Sequence, residues 1–258
     1  MHLHIIASGS TGNAIFIELG GARFLVDAGI SARRLEQGLL AVGVHPSEID
    51  AVLITHEHTD HVSGLPVFTR KFKVPVYTRR RTWDSFHPNH HVESEYRREL
   101  GNHLEIGGVW VEPFAISHDA AEPVGYSFRH GDMKCVVATD MGCVSERVEK
   151  DLSYADVMVF EANHDVDMLR NGPYPEFLKK RILGIRGHLS NLETGRCLAR
   201  MGKKPGMHVF LAHLSQQNNC PEIALSTVEQ MLERQGCRLD QDLFVHLAHP
   251  CETVSFTL

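Results

Sequence analysis

The sequence predicts one α/β domain, residues 1–258, and three observations lead there. Short apolar runs bounded by polar residues, such as Ala51-Val52-Leu53-Ile54 between Asp50 and Thr55, read as buried strands. Between such runs lie stretches with helical spacing, such as Leu35, Leu39, Leu40 and Val42 behind the capping residue Ser31. No linker, low-complexity tract or clean repeat breaks the 258 residues, a length that α/β sandwiches and barrels often reach undivided.

Composition narrows the function classes. A hydrophobic share of 43% is ample for a core, and no run of 18 apolar residues predicts a membrane span. The start, Met1-His2-Leu3-His4-Ile5-Ile6-Ala7, has neither a basic leader nor a long apolar segment, so a cytoplasmic protein is expected. The six cysteines, Cys135, Cys143, Cys197, Cys220, Cys237 and Cys251, form no C-x-x-C pair and are expected as thiols in a reducing compartment. With 26 basic against 32 acidic residues the net charge is −6, which argues against a surface coated for nucleic acid. The basic runs Arg79-Arg80-Arg81, Arg97-Arg98, Lys179-Lys180-Arg181 and Lys203-Lys204 read first as solvated helix faces. An excess of histidine, 18 residues, points to metal ligation.

Taken in order, the chain opens with strands Leu3 to Ala7, Ala14 to Leu19 and Ala22 to Val26, the last ending in Asp27. The intervening loop Ser8-Gly9-Ser10-Thr11-Gly12-Asn13 is either an ordinary connection or a backbone that can approach an anion. A helix from Ser31 to about Val42 precedes the strand Ala51 to Ile54. The strand releases Thr55-His56-Glu57-His58-Thr59-Asp60-His61 at its end, where side chains can converge on a cleft. Four potential ligands in six residues, His56, His58, Asp60 and His61, suit zinc, and the carboxylate also suits manganese or iron. A helix from about Val62 to Phe72 and a strand Val74 to Thr78 follow. Residues 79 to 103 form the least apolar segment, and His87, His90, His91 and His103 read as surface.

Four later strands also end in chemistry. Val109 to Ile116 delivers His118, placed to join His56 and His58, and the hairpin Gly125 to His130 and Met133 to Ala138 delivers Asp140, a carboxylate able to bridge two metals. Asp156 to Phe160 delivers Glu161. A helix Glu176 to Leu183 leads to Gly187-His188-Leu189-Ser190-Asn191, whose Ser190 or Asn191 caps a helix to about Met201. The strand Met207 to Ala212 presents His213. A helix Pro221 to Gln235 and strands Leu243 to Ala248 and Thr253 to Leu258 complete the chain.

The H-x-H-x-D-H pattern after a buried strand resembles the signature of the metallo-β-lactamase superfamily, and His118, Asp140 and His213 follow in that family's order. The resemblance implies a four-layered αββα sandwich with a two-metal hydrolytic site between the sheet edges. Six stretches resemble the bacterial YycJ/VicX (WalJ) family of metal-dependent nucleases more narrowly. They are Ser8 to Asn13, Ser117 to Pro123, Glu161 to Asp165, Gly172 to Pro175, Gly187 to Asn191 and His213 to Ser215. Members act chiefly as 5′ to 3′ exonucleases on DNA.

Carried over by position, one metal takes His56, His58 and His118, the other takes Asp60, His61 and His213, and Asp140 bridges. Asp60 thus counts among both the metal-binding and the catalytic residues. Asp27 is implied as a support that orients the turn. His188, held by Glu161, is implied as the group that protonates the departing 3′ oxygen, while His164 receives no role. Two divalent metals are expected, zinc first with manganese or iron as alternatives. The expected partner is single-stranded nucleic acid, DNA preferred, with no membrane and with homo-oligomerisation left open. In this picture Ser8, Ser10, Thr11 and Asn13 bind substrate, the loop receiving a terminal 5′ phosphate. The alternatives are a small-molecule or cyclic-nucleotide phosphodiesterase and, from another class, a regulatory module that binds metal without turnover.

Overall fold

The structure is a computed structural model that describes residues 1–249 and 252–258; Cys251 lies outside the described residues. The first half runs β1 (His2–Ala7), β2 (Ala14–Leu19), β3 (Ala22–Val26), α1 (Ala32–Ala41), β4 (Ala51–Leu53), α2 (Thr59–Val62) and α3 (Leu65–Phe72). It continues through β5 (Val76–Thr78), α4 (Arg80–Asp84), β6 (Arg97–Glu99), β7 (Leu104–Ile106) and β8 (Val109–Ala115). The second half runs β9 (Val124–His130), β10 (Met133–Ala138), α5 (Glu146–Leu152), β11 (Val157–Glu161), α6 (Val166–Asn171), α7 (Glu176–Ile182) and α8 (Asn191–Arg200). It ends with β12 (Met207–Ala212), α9 (Pro221–Arg234), β13 (Leu243–Leu247) and β14 (Val254–Thr257).

Two seven-stranded mixed sheets result, in the orders β14-β1-β2-β3-β4-β5-β6 and β13-β12-β11-β10-β9-β8-β7. In the first, β14, β1, β2 and β3 pair antiparallel and β3 to β6 pair parallel. In the second, β10, β11, β12 and β13 are parallel and β9 is antiparallel to β10. With their flanking helices these sheets make the metallo-β-lactamase fold that the resemblance implies. No helix among the described residues is long and apolar enough to cross a membrane.

The chain divides into two compact units. Unit 1 holds Met1–Glu112, Ala120–Pro123 and the C-terminal strand β14; unit 2 holds Pro113–Asp119 and the chain from Val124 through β13. Each has its own core. In unit 1, Phe16, Leu25, Leu35, Val52 and Phe68 are buried together, and in unit 2 Val136, Phe160, Leu198, Leu211 and Val228. Fully burying such a side chain contributes about 1.5–3 kcal/mol.

Local sequence explains most element boundaries. Ser31 caps α1 by accepting from the Arg34 amide, and Ser190 caps α8 by accepting from the Glu193 amide. Leu35 and Leu39 are one turn apart and buried, whereas Leu40, about 100° further round, is exposed. The helix expected over Val62 to Phe72 is instead two, α2 and α3, separated at Ser63 and Gly64. Strand β6 lies inside the polar segment 79–103; it pairs through its backbone at the sheet edge, so it needs no apolar face. Helices α5 and α6, of seven and six residues, are shorter than the window over which helical periodicity can be read.

Candidate metal centre

Parallel register sets the stage. In unit 1, Val26 pairs with Leu53, so Asp27 and the Thr55-His61 turn both leave the carboxyl ends of adjacent strands. In unit 2, Ala138 pairs with Phe160 and Glu161 with Ala212, which sets Asp140, Glu161 and His213 side by side beyond β10, β11 and β12. Carboxyl ends of parallel strands are where α/β sheets bind ligands. Asp27, Asp140 and His213 each turn off their strand in the left-handed region, with φ of 61°, 60° and 57°. Non-glycine residues reach that region at a cost of about 1–3 kcal/mol each, which packing elsewhere must offset.

In unit 1 the buried Asp27 is the hub. Its Oδ1 accepts from the Thr55 amide at 2.9 Å, and its Oδ2 lies 2.8 Å from His61 Nδ1 and 3.0 Å from the Thr55 hydroxyl. Burial pushes its carboxyl above the usual value, while His61 and Thr55 pull the other way. Thr55 has one hydroxyl proton, and the carboxylate can only accept, so that proton goes to Asp27. His56 Nδ1, 3.0 Å from Thr55 Oγ1, then serves as donor, and His61 Nδ1 donates to Asp27. Both rings therefore carry their lone pair on Nε2. The rings stand close together, His56 4.6 Å from His58 and 4.1 Å from His61 between centroids.

The turn is locked by backbone. Gly29 packs so tightly that a Cβ there would lie 1.6 Å from the Asp60 carbonyl oxygen. The Asn13 amide nitrogen of the side chain donates to Gly9 O at 3.1 Å and lies 3.1 Å from His61 Nε2, while its oxygen accepts from the Gly9 amide. Asn13 and Ser8 are thus buried in the loop's own framework, and only Ser10 and Thr11 of the predicted substrate-binding set are exposed. Glu57, which the sequence left without a role, accepts from the Ala121 amide at 2.7 Å.

In unit 2, Asp140, Glu161, His188 and His213 form a cluster whose ligand atoms lie within 4.8 Å of one another. Glu161 Oε1 lies 2.8 Å from His188 Nδ1 and 2.9 Å from His213 Nδ1, and Oε2 accepts from the Met141 and Leu189 amides. Burial opposes ionisation, but His188 and His213 hold Glu161 well below the usual carboxylate range. His118 Nδ1 lies 3.2 Å from the Gly187 carbonyl, and burial lowers its pKa. Asp140 Oδ1 is 3.5 Å from His213 Nδ1 and 3.9 Å from His118 Nε2.

His56, His61, His118, His188 and His213 are each engaged through Nδ1, so a cation or a catalytic proton would fall to Nε2, which at His61 also lies 3.1 Å from the Asn13 side-chain amide. A carboxylate, hydroxyl or carbonyl behind each imidazole is the support that metal-binding histidines need. Histidines and aspartates so held suit a dinuclear divalent-metal site.

Sequence reasoning placed the imidazoles and carboxylates but missed much of what holds them. Thr55, the Gly187 carbonyl and the second bond of Glu161, to His213, had no local signal. Neither did an asparagine network: Asn163 donates to the His213 carbonyl at 2.8 Å, and Asn219 to the Ala162 carbonyl at 2.9 Å and to Asn191 Oδ1 at 2.9 Å.

The family described as the metallo-beta-lactamase superfamily matches residues 7–213. The chain is 37% identical over 253 residues to Exodeoxyribonuclease YycJ of Bacillus anthracis, covering 97% of this chain and 96% of the relative. To Exodeoxyribonuclease WalJ of Streptococcus pneumoniae it is 36% identical over 251 residues, covering 95% and 93%. Among solved structures, the metallo-beta-lactamase fold protein YhfI from Bacillus subtilis superposes with a TM-score of 0.73 at 15% identity, covering 99% and 98% of the two chains. Zinc-bound PqqB from Methylobacterium extorquens gives 0.67 at 18%, covering all of both chains. At these identities the two structures speak for the fold alone. The chain belongs to the metallo-β-lactamase superfamily and, within it, to the YycJ/WalJ family.

Proposed function

We propose that the protein is a metal-dependent phosphodiester hydrolase acting as a 5′ to 3′ exonuclease on single-stranded DNA, with residues 1–258 working as one domain. The observation that carries this reading is Glu161, fully buried and bonded at once to His188 and His213. It ties a candidate proton donor to a candidate metal ligand. The relatives, named exodeoxyribonucleases along nearly their whole length, support the choice of DNA.

In this reading His56, His58 and His118 would hold one cation, Asp60, His61 and His213 would hold the other, and Asp140 would serve both. Zinc is the first choice for so imidazole-rich a set, with manganese or iron as alternatives. Bound there, two divalent cations would polarise the phosphate and bring the pKa of water down to about 7. The remaining work falls to side chains. His188 presents Nε2–H to the departing 3′ oxygen and releases its proton as the P–O bond breaks. Glu161 keeps that imidazole oriented through Nδ1 and offsets the charge it carries before donation. Asp27 and Thr55 hold the His56 and His61 rings in register, and the Ser10 and Thr11 hydroxyls contact the strand. The five described cysteines are free thiols, and we place the protein in the cytoplasm.

The test compares single-stranded oligodeoxynucleotides bearing a 5′ phosphate, a 5′ hydroxyl or no end at all, with matched RNA. Mononucleotides should appear progressively from the 5′ side of DNA while circles survive. Equal cleavage of circles, or faster release from the 3′ end, would reject the exonuclease reading.

A further inference from the structure

Within unit 2, beside His188, lies a cleft of about 200 Å³ bordered by the start of α6, the end of α7 and the start of α8. That is smaller than the roughly 300–1,000 Å³ of sites that enclose a drug-sized ligand, and it suits one nucleotide unit rather than a run of strand. Val166, Leu183 and Leu189 give it apolar wall, and His164, Arg170 and Ser190 give it polar groups.

His164 is the telling residue. It is only 2% exposed, yet neither ring nitrogen has a hydrogen-bond partner among the described residues. Leaving a buried polar group unsatisfied costs about 1–3 kcal/mol, and such groups call for an explanation. The backbone fixes the ring in the wall, because His164 bridges to Ser190 and its carbonyl accepts from the Asn191 amide at 2.9 Å. Burial pushes the ring down to about 4, so at neutral pH it offers one donor and one acceptor. Arg170 is exposed, and its guanidinium pairs with no residue among those described. Glu193 also borders the cleft, but its carboxylate is paired with Arg196 at 2.5 Å.

We propose that this cleft receives the nucleotide on the leaving side of the scissile phosphate, with its base edge on His164 and its own 5′ phosphate on Arg170. The proposal rests on the exonuclease reading and adds to it where the departing piece sits. In 5′ to 3′ cleavage a water oxygen bonds to phosphorus, the P–O3′ bond breaks, and His188 delivers its proton to O3′. The freed piece is the 5′-terminal nucleotide, with its 5′ phosphate and a new 3′ hydroxyl. Since His188 forms part of the cleft wall, O3′ at His188 brings the rest of that nucleotide into the cleft. The terminal phosphate is thereby moved from the Ser8–Asn13 loop to Arg170, and Ser10 and Thr11 are left for the downstream strand.

The experiment uses the full metal-loaded chain, Arg170→Ala and His164→Phe. On single-stranded DNA, kcat/KM is measured for substrates differing only in a 5′ phosphate or 5′ hydroxyl, and affinities for thymidine 5′-monophosphate and thymidine are measured by calorimetry. A charge-assisted contact predicts that Arg170→Ala lowers the phosphate-to-hydroxyl preference about ten-fold, and the affinity gap between nucleotide and nucleoside likewise. His164→Phe should weaken both small ligands and raise KM more than it lowers kcat. If His164→Phe does not fold, the exposed Arg170→Ala still decides. Wild-type cleavage of DNA with an unchanged end preference in Arg170→Ala overturns the cleft alone. Failure of the wild type to cut DNA overturns the exonuclease reading and the cleft together.

Discussion

Asp27 shows how much a single carboxylate can organise. Removing it in Asp27→Ala strands the Thr55 amide and the His61 Nδ1–H inside the protein, and each unmet donor costs about 1–3 kcal/mol. We expect a loss of about 3 kcal/mol in chemical denaturation and about 10- to 100-fold weaker metal binding by competition titration. Unchanged metal affinity would show that the His61 ring needs no support. His188 calls for the opposite pattern: His188→Ala should keep its metals by elemental analysis while losing about 10²- to 10⁴-fold in rate. A p-nitrophenolate leaving group, which needs no proton, should recover much of the loss, and loss of metal would make His188 a ligand instead. The histidines and aspartates of the candidate site were legible as candidates because their type and their position after apolar runs are local facts. Thr55, Gly187 and the His213 bond of Glu161 were not, since pairs such as Asp27 and Thr55 or His118 and Gly187 lie 28 and 69 residues apart. The left-handed turns at Asp27, Asp140 and His213 left no mark either, because no glycine announces them.

At the scale of elements, long strands and helices were read nearly to the residue, as at Ala14–Leu19 and Met207–Ala212, because burial imposes a period over enough positions. Short pieces escaped: α5, α6 and the edge strand β6 owe their form to tertiary contacts and backbone pairing rather than to a pattern. The paired strands β12 and β13 carry a testable feature. His208 Nδ1 and His246 Nε2 are 2.9 Å apart, and the rings stack 5.2 Å apart between centroids. Burial lowers the pKa of both, and for His246 the neighbouring His208 adds to it. Above the ordinary value of 6.5 both rings are neutral whether folded or unfolded, so the pair adds no pH dependence there. As pH falls below it the unfolded chain takes up protons that the folded one resists, and stability declines. Melting followed from pH 7.5 to 5.5 should show a shallower decline in His246→Gln than in the wild type, while His4, His90, His118 and His164, also lowered by burial, contribute to both. Parallel slopes would remove the pair from the account.

For the whole molecule, the charge balance acquires a structural meaning. Arg79 bonds Glu122, Arg181 bonds Asp119 and Lys204 bonds Asp156, while Lys203 holds the carbonyls that end α8. The basic runs thus hold parts of the fold together, and few of their cations remain for a phosphate backbone. Each phosphate neutralised on a single strand adds about 0.7 to the slope of log affinity against log salt, so a slope of about 2 or less is expected. A slope several times steeper would reveal an extended basic track. The pairing of β1 with β14, His2 opposite Thr257 and Ile5 opposite Val254, bears on biosynthesis. Strand β1 finds this neighbour only about 250 residues later, which at roughly 5–20 residues per second is a wait of about 12–50 s on the ribosome. During that interval one side of β1 stays open, a template for the wrong partner, and the sheet that carries the Thr55-His61 turn is completed only once β14 has been made.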